Sequence, residues 1–128
     1  MQKTTLQYDI AKPNPVETGK HYGMKYYVIN FDVQPSDVEN YKYCWKRIAL
    51  PVAVWDYDAI VAAIINAEYP SDSMQAINNN FLRTIDGTEL SEEKRNEYID
   101  EHFQMNAYRD HAKTVARDLI KYAEENNI

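Results

Sequence analysis

Tyr41–Ile65, YKYCWKRIALPVAVWDYDAIVAAII, decides the fold, because the hydrophobic period changes inside it. From Tyr41 to Leu50 the residues alternate, with Tyr41, Tyr43 and Trp45 on one side and Lys42 and Lys46 on the other, a strand pattern. Pro51 cannot donate to a ladder and closes the strand region. Beyond it Asp56 stands where a helix N-cap belongs, and Ile60 and Ile64, flanked by Val61 and Ile65, recur at helical spacing. The chain therefore reads as α+β, with 1–51 β-rich, 55–128 helical, and both parts in a single domain.

Upstream, Met24–Val33 (MKYYVINFDV) predicts a second strand, with Tyr27, Ile29, Phe31 and Val33 on one face and Met24, Tyr26 and Val28 on the other. Gln34-Pro35-Ser36-Asp37 supplies a turn and makes the two strands an antiparallel pair. Leu6–Ile10 offers a third, shorter strand, and Pro13-Asn14-Pro15 a loop, for a small sheet of two or three strands. Downstream, Pro70 ends the first helix and Ser71 is placed to cap a second, whose stripe is Met74, Ile77 and Phe81 with Leu82 beside it. Arg83–Leu90, containing Asp86-Gly87, reads as a loop. Ser91 then caps a long helix, from about Glu92 to Asn126, with Tyr108, Ala112, Val115, Leu119 and Tyr122 on its buried stripe. Such a helix spans about 50 Å, whereas a domain of this size is only about 36 Å across. The expectation is a bend near His102–Asn106 or a projecting end that needs a partner, and hence a homo-oligomer.

Composition narrows the function classes. The chain has 128 residues, 45% of them hydrophobic and 27% charged, as in a globular protein able to bury a core unaided. No apolar run approaches the ~18–20 residues that span a bilayer, and MQKTTLQYDI lacks a charged-then-apolar leader, so neither a membrane nor a secretory setting is expected. The single cysteine forms no internal disulfide. Net charge is −6, and it is unevenly spread: residues 1–55 carry seven Lys/Arg against five Asp/Glu, and residues 56–128 seven against fifteen. That balance disfavours nucleic acid as a partner.

Few residues suggest chemistry. Gly19-Lys20 lacks the frame of a phosphate loop and reads as an ordinary flexible loop. Glu97, Glu101 and His102 are metal-ligand types, but no matching pair stands on another helix, so a solvated face is the expectation. Asp56 and Asp58 suit a helix start better than acid–base work, and Cys44, between two aromatics, suits an inert thiol. No catalytic, metal or cofactor residue is assigned. The one excess is aromatic: seven of eleven tyrosines precede Asp58, together with Trp45 and Trp55. Tyrosine is enriched at interfaces, so Tyr41, Tyr43, Trp45, Tyr98 and Met105 are the expected protein contacts.

The stretch Trp55–Leu82, WDYDAIVAAIINAEYPSDSMQAINNNFL, resembles a recurrent segment in small uncharacterised proteins of Bacteroides-type phages, prophages and related mobile elements. There a helix like AIVAAIINAEY is followed by a Ser-capped turn, a helix like MQAINNNFL and a closing helix like YRDHAKTVARDLI. The resemblance covers about the last 75 residues and carries no active site. It implies a bacterial cytoplasm or a phage particle. The expected role is a non-enzymatic interaction or structural protein, namely a virion, tail-associated or assembly component. The alternative is a small acidic regulator that inhibits a host defence protein; an enzyme of unrecognised type is the third reading.

Overall fold

A computed structural model describes residues 6–21 and 23–128. Four antiparallel strands, β1 (Leu6–Asp9), β2 (Val16–His21), β3 (Met24–Pro35) and β4 (Tyr43–Pro51), form a sheet in the order β1-β4-β3-β2. Three helices follow: α1 (Tyr57–Glu68), α2 (Ser71–Arg83) and α3 (Glu92–Glu125). The α+β class stands, with one strand more than the sequence patterns predict.

The extra strand is β2, VETGKH, whose only large apolar residue is Val16. Gly19-Lys20 lies inside it, Gly19 opposite Tyr26 and Lys20 opposite Lys25, so this segment is ladder and not a loop. β2 is an edge strand held by backbone bonds to β3, a pairing that needs no alternation of its own. Two residues join it to β3, and the second, Gly23, has φ +77°, open to glycine at little cost. β3 also runs further than expected, to Pro35, which pairs with Tyr43. The chain then turns through residues 36–42, where Asn40 takes φ +79°.

The chain crosses from one edge of the sheet to the other between Asp9 and Val16, through the Pro13-Asn14-Pro15 loop. Asn30 secures that crossing. Its backbone N–H bonds Pro15 O at 2.9 Å, and its side chain donates to Asn14 O (2.8 Å) and Glu17 Oε2 (3.2 Å). Its Oδ1 accepts from Trp45 Nε1 at 2.9 Å. Both residues are buried, so the polar atoms of this node answer one another.

The helices cover the other face. Val16, Ile29 and Phe31 meet Ile60, Ile64, Ile65, Met105, Ala112, Ala116 and Leu119 in one core, with Tyr27, Ile48 and Leu50 at its margin. Asp56 caps α1 as the sequence implies, accepting from Ala59 N at 2.8 Å, and Ser91 caps α3, accepting from Lys94 N at 3.1 Å. At α2 the expectation fails: Ser71 is the first helical residue, Pro70 holds the cap position, and no side chain bonds the helix start.

α3 is unbroken over 34 residues, about 51 Å at 1.5 Å per residue. It stays helical through His102–Asn106, where a bend is one expectation, and its first half does not project bare. α1 and α2 lie one after the other, antiparallel along it: Tyr57 faces Arg117 and Tyr69 faces Tyr108, then Phe81 stacks on His102 and Arg83 approaches Tyr98. The second half of α3 thus closes the core under the sheet, and the first half pairs with α2 as a two-helix arm.

Candidate functional site

Polar chemistry gathers where the sheet meets the helices. β3 carries a bulge between Phe31 and Gln34, and Asp32 within it takes φ +53°. A non-glycine residue there costs roughly 1 kcal/mol or more, and the conformation ends the run of inward apolar residues that β3 was predicted to carry as far as Val33. Asp32 Oδ2 lies 3.3 Å from Lys46 Nζ, and Oδ1 lies 2.7 Å from His111 Nε2. Lys46 Nζ is also 4.0 Å from Glu68 Oε2 and 5.0 Å from the Tyr108 ring centre. One clamp therefore joins β3, β4, α1 and α3. Lys46 belongs to the helix-covered face, which inverts the solvent-facing role that its alternation suggests: the Tyr43 and Trp45 side is the one away from the helices.

The Asp32–His111 contact resembles the carboxylate–imidazole pair that orients a general base. Among the described residues no hydroxyl or thiol hydrogen-bonds the His111 ring, so the pair acts as a tether in this arrangement. Beside it the Tyr108 hydroxyl is buried with no partner. Burial, with smaller contributions from the Asp32 and Glu68 carboxylates, pushes its pKa well above the ordinary tyrosine value.

A second feature adjoins the clamp. A cleft of about 290 Å³ opens between the α1–α2 corner and α3, lined by Tyr69, Ser73, Ala76, Ile77, Glu101 and Gln104. Tyr69 is the C-cap of α1, 7% exposed, and its ring centre is 5.6 Å from that of Tyr108. Its pKa is raised by burial first, then by Glu68 and Glu101. Glu101 and His102 are only half-exposed, so the solvated face expected of Glu97, Glu101 and His102 holds for Glu97 alone, which pairs with Lys94 at 3.3 Å. His102 stacks on Phe81 with ring centres 3.8 Å apart.

The five expected contact residues separate. Tyr41 is exposed, Tyr43 half-buried, and Tyr98 half-buried between Arg83 and Lys94. Trp45 is 8% exposed and bonded to Asn30, and Met105 is 1% exposed in the core, so neither offers a contact surface. Met105 marks the point where α3 passes from the arm into the core, a position that helical spacing alone does not distinguish. Exposed apolar side chains occur on the sheet and its loops (Ile10, Met24, Val38 and Val54 among them) and also on the arm, where Leu82, Ile99 and Phe103 (71%) stand with Ile85 just past the end of α2.

Cys44 is buried, its Sγ 3.8 Å from Pro35 O. Among the described residues no three His, Cys, Asp or Glu side chains converge as a metal-ligand set, and no helix is long and apolar enough to cross a membrane. The clamp escapes sequence reasoning because its members lie 14 to 79 positions apart. The one signal in the sequence is Asp32, an acid between the apolar Phe31 and Val33.

No family model matches the chain, and comparisons with curated proteins and with solved structures return no match.

Proposed function

We propose that the protein is a non-enzymatic interaction or structural protein that pairs with a second copy of itself through the α2–α3 arm. The observation that carries this reading is the exposure of Phe103, at 71% the most exposed large apolar side chain among the described residues, with Ile99 beside it on α3 and Leu82 on α2. Ile99 and Phe103 are four residues apart and share one face of α3, turned away from Met105. Charge bears on the orientation of a self-partner: the first half of α3 is net acidic (Glu92, Glu93, Glu97, Asp100 and Glu101 against Lys94 and Arg95), while in the second half Arg109, Lys113, Arg117 and Lys121 balance Asp110, Asp118, Glu124 and Glu125. Two copies packed antiparallel, an isologous arrangement, keep the two acidic ends apart. The resemblance to phage and prophage proteins supports a virion, tail-associated or assembly role, in the bacterial cytoplasm or in the particle.

Sedimentation velocity tests the pairing. The wild type is expected to self-associate at micromolar concentration, roughly 8 kcal/mol of association, and Phe103→Asp to sediment as a monomer with an unchanged circular dichroism spectrum. A wild type that stays monomeric at every concentration overturns it. The alternative, an acidic regulator of a host defence factor, draws on the fifteen acids against seven bases in residues 56–128. It predicts a salt-sensitive complex with a basic host protein. Affinity capture from phage-infected cells separates the two: capsid, portal or tail proteins favour assembly, a host nuclease or sensor favours inhibition.

A further inference from the structure

The cleft beside the clamp has a chemistry of its own. Its floor and one wall are apolar, from Ala76, Ile77 and the Tyr69 ring. Each of its polar groups offers an acceptor oxygen. Gln104 donates one amide N–H to Asp100 Oδ2 at 2.9 Å, leaving its carbonyl oxygen for another donor. Ser73 and Tyr69 add hydroxyl oxygens, and the Tyr69 hydroxyl forms no hydrogen bond to any described residue although the residue is 7% exposed.

The charge of the cleft comes from Glu101. Glu68 lies on the clamp side, 4.0 Å from Lys46, and the nearby Lys94 is engaged with Glu97 at 3.3 Å. Glu101 makes no ion pair among the described residues, and both it and Glu68 act on the Tyr69 hydroxyl. A half-buried carboxylate and three neutral oxygen acceptors complement a group that brings several donors and a positive charge. An ammonium has three donors and no acceptor. The cleft, about 290 Å³, has room for an amine on a short chain.

We propose that this cleft binds a protonated primary amine on a short apolar stem, the ammonium at Glu101 and the stem against Ile77 and Ala76. The amine arrives as a free alkylamine or as a lysine side chain of a protein. The site is separate from self-association, because Glu101 and Phe103 point about 200° apart around α3.

The test is a titration of the ¹⁵N-labelled protein with n-pentylamine at neutral pH, with n-pentanol as the uncharged counterpart and N-acetyl-lysine N-methylamide as the side-chain source. Saturable shifts are expected at the amides of Ser73, Ile77, Glu101 and Gln104 with pentylamine and not with pentanol, with a Kd on the order of 1 mM. Glu101→Gln keeps the shape and removes the charge, and is expected to weaken binding about tenfold or more. Tyr69→Phe, which keeps the ring, is expected to weaken it several-fold. If the capped lysine also saturates the site, a protein side chain is the source; if it is excluded, a free amine is. Absence of saturation with pentylamine, equal binding of pentanol, or wild-type affinity in Glu101→Gln overturns the proposal.

Discussion

The Tyr108 hydroxyl is buried without a partner while its ring carries the Lys46 ammonium. The ring is the useful part and the hydroxyl a cost, since an unsatisfied buried hydroxyl forfeits its hydration. Tyr108→Phe is therefore expected to raise stability by about 1 kcal/mol in urea unfolding; a loss instead shows that the hydroxyl is bonded in solution. Tyr69 and Tyr108 both have pKa values raised above the ordinary tyrosine value of about 10, burial being the first cause in each. Below about pH 10 both are neutral in either state, and the stability tied to them is whole. As pH climbs past about 10 the unfolded tyrosines ionise while the folded ones keep their protons, so stability falls toward the folded pKa. The decline between about pH 9 and about pH 11 should be visibly shallower in the Tyr69→Phe, Tyr108→Phe double variant than in wild type. Equal slopes refute the assignment.

Helix starts differ in how they are made, and the difference is measurable. Asp56 accepts from Ala59 N at 2.8 Å, whereas at α2 no side chain performs that service. Asp56→Ala should cost about 1 kcal/mol and Ser71→Ala close to nothing. A comparable loss at Ser71 refutes the reading of Pro70 as the cap. The same contrast shows why a Ser after Pro misleads: Pro tolerates the first positions of a helix, so the boundary falls one residue earlier than side-chain chemistry suggests. In β3, Asp32 at φ +53° lies in a bulge and presents its carboxylate to His111 at 2.7 Å.

For the whole molecule, the two ends of α3 are supported unequally. Ala112, Ala116, Leu119 and Ala123 in the second half are buried, while α2 contributes Ile77 alone to the core and packs chiefly on the first half of α3. Local opening follows buried contact, so the arm should open before the sheet. In the monomeric Phe103→Asp variant, hydrogen exchange is expected to release α2 amides at least roughly tenfold faster than those of central β3 and β4. Uniform protection in that variant is the contrary result.

Local patterning was enough for the α+β class, the pairing of β3 with β4, the three helices and two of their caps. Each rests on periodicity or on a side chain acting within four residues, as Asp56 on Ala59 and Ser91 on Lys94 do. Strand β2 was hidden because VETGKH joins the sheet through its backbone, which carries no composition signal. The face of Lys46, the burial of Trp45 and Met105, and the meeting of Asp32 with His111 were decided only by tertiary structure. The amine cleft belongs there too, since Tyr69 and Glu101 come from different helices. Which side of a strand meets the helices, and which turn of a long helix passes under the sheet, depend on how elements pack, and packing is a relation between segments distant in sequence.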